Sequence, residues 1–303
     1  MNIITRNPFL FLLVGIVFIS FSPVLVLVSG TTALKAGLYR HLFGLLFLLP
    51  FVLFRKARWY HGKWTVLLPM MAGVLFFVDL WSWHIAIGLI GPGLSTLIGN
   101  FQVFFVTLIG VAFLRERPPV RFYLSIPLAL TGVYFIGNSA DGIGSPQLTG
   151  MALCLLAALC YAFFLIINRK SQTLPEKISA EMNLLYMTLC AGTLFAVAVG
   201  ASGESYALPN TRAFTALFAY GLLPHFAGWI IIIRCLPLVN ATVAGMTLLL
   251  QPVLTFVWEV LLLGRQFEPL QLFGGALAVA AIYLGTMKSK QAHSDNGSSP
   301  EGQ

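Results

Sequence analysis

"FQVFFVTLIGVAFLRERPPVRFYLSIPLALTGVYF", residues 101–135, decides the fold, because the chain carries its pattern twice. A shift of 149 positions lays it on "LQPVLTFVWEVLLLGRQFEPLQLFGGALAVAAIYL", residues 250–284. Gln102 then falls on Gln251, Leu114 on Leu263 and Tyr134 on Tyr283. Each copy is a pair of apolar runs around a short polar break. A spanning helix needs roughly 20 mostly apolar residues, so each copy reads as two consecutive membrane spans. The breaks differ in charge: "RERPPVR" (115–121) holds three arginines, "GRQFEP" (264–269) only one. Lys and Arg gather in cytoplasmic loops, which puts the first break inside and the second outside. The two copies therefore run in opposite orientations.

Composition extends that reading to the whole chain. Of 303 residues, 58% are hydrophobic and 9% charged, with mean hydropathy +0.88. Soluble domains carry about 25% charged residues, so lipid is the solvent here. The first apolar run is too long for a secretory signal and lacks a small-residue cleavage site, and reads as a span. Polar and Gly/Pro breaks place spans at 8–30, 35–54, 65–88, 92–114, 121–138, 149–168, 180–201, 213–235, 240–263 and 270–287. The expected fold is an all-α integral membrane protein of ten transmembrane helices. It divides into a first five-helix repeat (1–138), an extracytoplasmic linker (139–148), a second, inverted repeat (149–288) and a disordered cytoplasmic tail (289–303).

Orientation follows from the basic residues. Arg6, Arg55, Lys56, Arg58, Lys63, Arg115, Arg117, Arg121, Arg169, Lys170, Lys177, Arg234, Lys288 and Lys290 fall on one side. Arg212 and Arg265 fall on the other, with Lys35 at its edge. Both termini are thus expected in the cytoplasm. The net charge of +8 is explained by these loops, so no nucleic-acid partner is expected. Cys154, Cys160, Cys190 and Cys235 lie in or at the end of apolar runs without metal-ligand spacing, and read as small hydrophobes.

Inverted repeats mark secondary transporters, whose sites lie near the midplane between the repeats. Polar residues sorted by depth, at about 1.5 Å of rise per residue, agree with that. Asp79, Gln102, Tyr161, His225 and Gln251 come out near mid-membrane, and Arg40, His84 and Glu259 nearer the outside. An ionisable group at the bilayer centre costs about 2.5–3.5 kcal/mol, so such groups face a cavity or pair. Glu259 is the first expected partner of Arg40 by depth, and Asp79 the second. Asp79 is the proton-sensitive candidate, with Glu259 next; each could instead serve only helix packing. Trp83, four residues on, shares the face of Asp79, whereas Trp81 is expected to flank His84. Gln102 and Gln251 could offer amides to a ligand or bond helix to helix. Tyr161, Trp229 and Trp258 are candidates for aromatic walls. Pro23, Pro127, Pro224 and Pro252 are expected to kink their spans beside the polar layer. Glu181 needs no special role, and "GPG" (91–93) is a tight outer turn too short to hold phosphates.

The sequence also resembles a known family. "TTALKAGLYRHLFGLLFLLPF" (31–51) resembles the second span of EamA-type members of the drug/metabolite transporter superfamily, with its early arginine. "GPGLSTLIGNFQVFFVTLIGVAFLRERPPVRFYLSIPLALTGVYFI" (91–136) resembles their fourth and fifth spans. "NATVAGMTLLLQPVLTFVWEVLLLGRQFEPLQLFGGALAVAAIYLG" (240–285) resembles the same block of the second half, with Pro252 at a proline the family commonly has. Val103 departs from that proline in the first half, and Arg265 stands where the family often has Glu. The resemblance implies a ten-helix transporter of small metabolites, often outward, in the plasma membrane, here the bacterial inner membrane.

The leading expectation is a secondary active exporter of a small amphipathic metabolite such as an amino acid, working by alternating access with possible proton coupling. Substrate binding is expected at Asp79, Trp83, Gln102, Tyr161, His225 and Gln251, and coupling or ion pairing at Asp79, Arg40, Glu259 and His84. A facilitative carrier or exchanger of nucleotide sugars, amines or drugs is the alternative, and a lipid-modifying membrane enzyme a remote one. No catalytic residue, cofactor or metal is expected. No Walker motif supplies ATP drive, and no ring of like charge suggests a channel. Membrane lipid and a small-molecule substrate are the expected partners, and a homodimer is left open.

Overall fold

A computed structural model describes residues 7–54, 62–114, 119–137, 144–172, 174, 179–235, 238–239, 247–248 and 250–286. Helices occupy α1 (Pro8–Ser20), α2 (Ser22–Ser29), α3 (Ala33–Phe54), α4 (Lys63–Ile90), α5 (Pro92–Gly99), α6 (Gln102–Leu114) and α7 (Val120–Gly137). They continue with α8 (Ser145–Gln172), α9 (Ala180–Ala201) and α10 (Thr211–Tyr220), a π-helical segment (Gly221–Gly228), α11 (Trp229–Cys235), α12 (Leu250–Leu263) and α13 (Pro269–Thr286). The described residues contain no strand. Helix is the backbone state lipid imposes, because it satisfies its own N–H and C=O groups within one segment.

Among the described residues seven helical stretches, 8–29, 33–54, 63–90, 92–112, 145–171, 180–201 and 211–235, are long and apolar enough to cross a membrane. Three shorter apolar helices, Val120–Phe135, Leu250–Leu263 and Pro269–Gly285, stand where the fifth, ninth and tenth spans are expected. Helix α8 starts at Ser145, four residues before the expected boundary, so the described end of the 139–148 linker is helical. The tail 289–303 lies outside the described residues, as do Arg6, Arg55, Lys56, Arg58, Arg115, Arg117, Lys177, Lys288 and Lys290.

Local chemistry sets the ends. Proline opens α1 and α5, where a missing N–H costs nothing. The Ser179 hydroxyl accepts from the Met182 N–H at 3.2 Å, and the Asn210 side chain from Ala213 at 2.8 Å, as helix N-caps do. Gly30 closes α2 in the left-handed conformation, φ 59°, where a side chain would be strained.

Of the expected kink residues, Pro23 opens α2 just after a break at Phe21, and Pro224 lies inside the π segment. Pro127 stands within α7 and Pro252 in the first turn of α12. Pro50 and Pro69 also lie inside helices. The fourth span is broken at Asn100–Phe101, which the sequence reading missed.

Packing brings the two halves of the chain together. Helix α4 lies against α8 and α9, α3 against α9 and the π segment, and α5 against α12. The main buried cluster includes Phe76, Leu80, Phe164, Met182, Leu185 and Phe195, drawn from α4, α8 and α9. Leu46, Leu124, Val197 and Leu261 point outward and more than half exposed, a normal lipid-facing surface for a span. All four cysteines are free, with Cys154 and Cys235 fully buried.

Candidate functional site

One cavity of about 260 Å³ lies between the halves. Its wall holds Asp79, Trp83, Gln102, Tyr161 and Gln251, five of the six residues expected to bind substrate, together with Arg40. The sixth, His225, is fully buried and does not reach the cavity. Trp229, Asn100, Thr96 and Ser22 complete the polar and aromatic lining, with Phe76, Leu80, Leu165, Ile232 and Leu248 as apolar walls. The 149-residue shift pairs Leu80 with Trp229, Trp83 with Ile232, Gly99 with Leu248 and Gln102 with Gln251, and all eight line the cavity.

Each side chain arrives there for a local reason. Asp79 and Trp83 are four residues apart on α4, so they share a face. Trp81, on another face, is 41% exposed while His84 is buried; the two do not flank one another as expected. Asn100 sits where the fourth span breaks, and its amide N–H donates to the Thr96 carbonyl at 2.8 Å. Gln102 opens the helix just after that break. Trp258 leaves the cavity alone: it stacks on Phe21 at 4.4 Å and donates to the Ser20 hydroxyl at 2.8 Å.

The expected pairing of Arg40 with Glu259 is wrong. Arg40, 4% exposed, donates from Nε to His225 Nδ1 at 3.1 Å and from Nη1 to the Tyr220 hydroxyl at 2.6 Å. Glu259 instead accepts from Arg265 Nη1 at 2.5 Å and from the Gly93 backbone N–H at 2.6 Å. Helix α12 ends at Gly264, whose φ of 65° turns the chain back, so that Arg265 returns over the last turn. Depth along a span gives height and not azimuth, which is why the sequence favoured the wrong pair. Asp79, the second expected partner, also makes no ion pair with Arg40 within 4.0 Å.

Hydrogen-bond chemistry settles the tautomers around Arg40. A guanidinium only donates, so His225 Nδ1 carries a lone pair and Nε2 carries the proton. Nε2–H donates to the Thr188 hydroxyl at 3.0 Å, which donates to the Leu184 carbonyl at 2.7 Å. On the other branch the Ala33 carbonyl only accepts, so His84 Nδ1–H donates to it at 3.1 Å. In the neutral ring His84 Nε2 then accepts from the Tyr220 O–H at 2.9 Å, and the Tyr220 oxygen accepts from Arg40. Both histidines are neutral in this arrangement. Tyr220, buried at the end of α10, is the junction that sequence reasoning missed.

Space for the network comes from a glycine. A Cβ on Gly44 of α3 would collide with the His225 ring, so only glycine lets the π segment approach. His41, whose ring lies 5.0 Å from that of His225, donates from Nδ1 to the Gly37 carbonyl at 2.7 Å and stacks on Phe195 at 5.5 Å. Its buried Nε2 has no partner among the described residues. Among the described residues no cluster of His, Cys, Asp or Glu could hold a metal ion.

Comparison with known proteins identifies the class. The model of the EamA-like transporter family matches twice, on residues 7–138 and 148–287, and the chain belongs to that family. It is an integral membrane transporter of a small molecule, and not an enzyme. Among individual relatives, the chain is similar to the threonine/homoserine exporter RhtA of Escherichia coli strains K12, O6:H1 and O157:H7. Identity is 25% over 260 residues, covering 86% of this chain and 81% of each of those proteins. A solved crystal structure, 17% identical, shares the fold with a TM-score of 0.65 over 93% of this chain and 96% of that one.

Proposed function

We propose that this protein is a secondary active exporter in the inner membrane of its cell, moving a small amphipathic metabolite of the amino-acid kind by alternating access. The observation that carries the reading is the cavity itself. It lies at the join of the two family matches, with Arg40, Asp79 and Trp83 from one half and Tyr161, Trp229 and Gln251 from the other. A site shared between halves can be presented to either side as the halves rock. Similarity to a threonine/homoserine exporter favours an amino acid among small metabolites.

The reading includes ten spans in two inverted five-helix repeats, with both termini in the cytoplasm. Several hydrogen bonds between the halves then lie at the outer end. Tyr39 donates to the Tyr206 carbonyl at 2.6 Å, Thr32 to the Glu204 carboxylate at 2.5 Å and Lys35 to the Ala207 carbonyl at 3.3 Å. The Glu259–Gly93–Arg265 contacts join them. These contacts tie the two halves together at the outer end.

Asp79 is the coupling group. It lines the cavity 8% exposed and makes no hydrogen bond among the described residues, so its carboxyl can exchange a proton with the cavity. Counterflow of radiolabelled amino acids into liposomes, with and without a pH gradient, tests the whole proposal. Saturable counterflow that a pH gradient drives uphill supports it. Counterflow that the gradient leaves unchanged would remove coupling and leave a facilitative carrier.

A further inference from the structure

The geometry points to a split dipolar site in the cavity, in which Arg40 receives the carboxylate and Asp79 the ammonium group of a zwitterionic α-amino acid. This rests on the transporter reading above and deepens it by assigning the two ends of the substrate.

Arg40 is held but not neutralised. Of its five N–H donors, one on Nε and one on Nη1 are spent on His225 and Tyr220. Both partners are uncharged acceptors, as the hydrogen-bond directions above require. The guanidinium carbon lies 4.8 Å from the Tyr220 ring and 5.2 Å from the Phe76 ring, so two aromatic faces fix its plane. No carboxylate lies within 4.0 Å, and Nη2 donates to nothing among the described residues. A buried cation without an anion is costly, and an incoming carboxylate would offset that cost with a paired, charge-assisted contact. The surrounding bonds already orient the fork, so little ordering remains to be done on binding.

Asp79 mirrors it. This carboxylate is buried, borders the same cavity and has no hydrogen-bond donor among the described residues. Trp83 and Tyr161 line the same cavity, where aromatic faces add attraction for a cation. The Ser22 hydroxyl, buried and without a partner among the described residues, supplies one more polar group. The two ions border the same cavity without forming an ion pair with each other.

Charge balance then selects the ligand. A zwitterion matches both ions and leaves the cavity neutral. A monocarboxylate or a monoamine leaves one ion without a counter-charge in a low-dielectric space. The volume of about 260 Å³ falls below the roughly 300–1,000 Å³ of drug-sized pockets, and the apolar walls suit a small uncharged side chain.

The test uses the full-length protein in nanodiscs and its own fluorescence, since Trp83 and Trp229 line the cavity. The standard L-amino acids are titrated first; the tightest is then compared with its deaminated acid and its decarboxylated amine. Each half-molecule is expected to bind about tenfold or more weakly than the parent, because a charged hydrogen bond is worth about 1.5–3 kcal/mol. R40Q is expected to weaken the acid and spare the amine, and D79N the reverse. Equal binding of parent and half-molecules by the unaltered protein overturns the assignment even if neither variant folds. So does equal loss of both half-molecules in each folded variant, or the absence of any amino-acid binding. Amino-acid binding with this pattern but no counterflow would sink the transporter reading and leave the site. Counterflow of another compound class without amino-acid binding would do the opposite.

Discussion

Replacing Arg265 by Gln should loosen the outer face of the protein. Glu259 is fully buried and accepts from two donors, Gly93 N–H at 2.6 Å and Arg265 Nη1 at 2.5 Å. The same Nη1 reaches the Ile90 carbonyl at 3.3 Å, so one guanidinium ties α12 to the corner between α4 and α5. Breaking a buried ion pair costs about 3–5 kcal/mol, whereas an exposed one is worth about 0.2–1 kcal/mol. Here one partner is buried and the other 34% exposed, which places the loss near 2 kcal/mol between those limits. The orphaned carboxylate gains by reaching water, and an outward-open state supplies that water. About 2 kcal/mol is roughly a 30-fold shift of the closed–open equilibrium. The assay is the labelling rate of a cysteine at Thr96, on the cavity wall, by a membrane-impermeant thiol reagent added outside. The four native cysteines are first replaced. A rise of about 30-fold is expected for R265Q, and a smaller one for E259Q, which keeps the Gly93 contact. An unchanged rate in folded R265Q would refute the idea that this contact holds the outer face shut.

Three further outcomes are expected. Asp79→Asn should abolish the pH dependence of counterflow while the protein keeps its thermal transition; pH dependence surviving in that variant moves the coupling role to Glu259. Tyr220→Phe removes the hydroxyl that joins Arg40 to His84, and leaving one of those groups unpaired should cost about 1–3 kcal/mol, seen as a lowered melting temperature in detergent. Gly44→Val drives its side chain into the His225 ring, and the overpacking, about 1–3 kcal/mol, should lower both melting temperature and counterflow; wild-type values for both would show that the ring is not confined there.

Much of the architecture was legible because lipid imposes a strong code. Apolar run length, charge asymmetry and the Gln102–Gln251 correspondence suffice to locate helices and to put polar residues in one layer. Asp79, Trp83, Gln102, Tyr161 and Gln251 were found together for that reason. What the residues do within the layer was less legible. Height along a helix follows from counting, but azimuth depends on how neighbours pack, and so Arg40 was paired with Glu259 instead of Tyr220 and His225. Tyr220 carries no sequence signal, being one of nine tyrosines in an aromatic-rich chain. A signal for the outer contact did exist: Gly264 followed by Arg265 is a helix stop that can fold an arginine back over the preceding turn.

The π-helical segment at Gly221–Gly228 has a consequence for how this chain can vary. A widened turn absorbs one additional residue, so everything after it lies about 100° behind where an unbroken α-helix of the same sequence would carry it. Trp229 and Ile232 reach the cavity in that delayed phase. Tightening the segment to ordinary α geometry with all its residues kept would rotate both side chains away, although every cavity residue would still be present in the sequence. Removing a single residue at Ala227 as the turn tightens would instead keep them in place, so a one-residue gap here is the change this span tolerates.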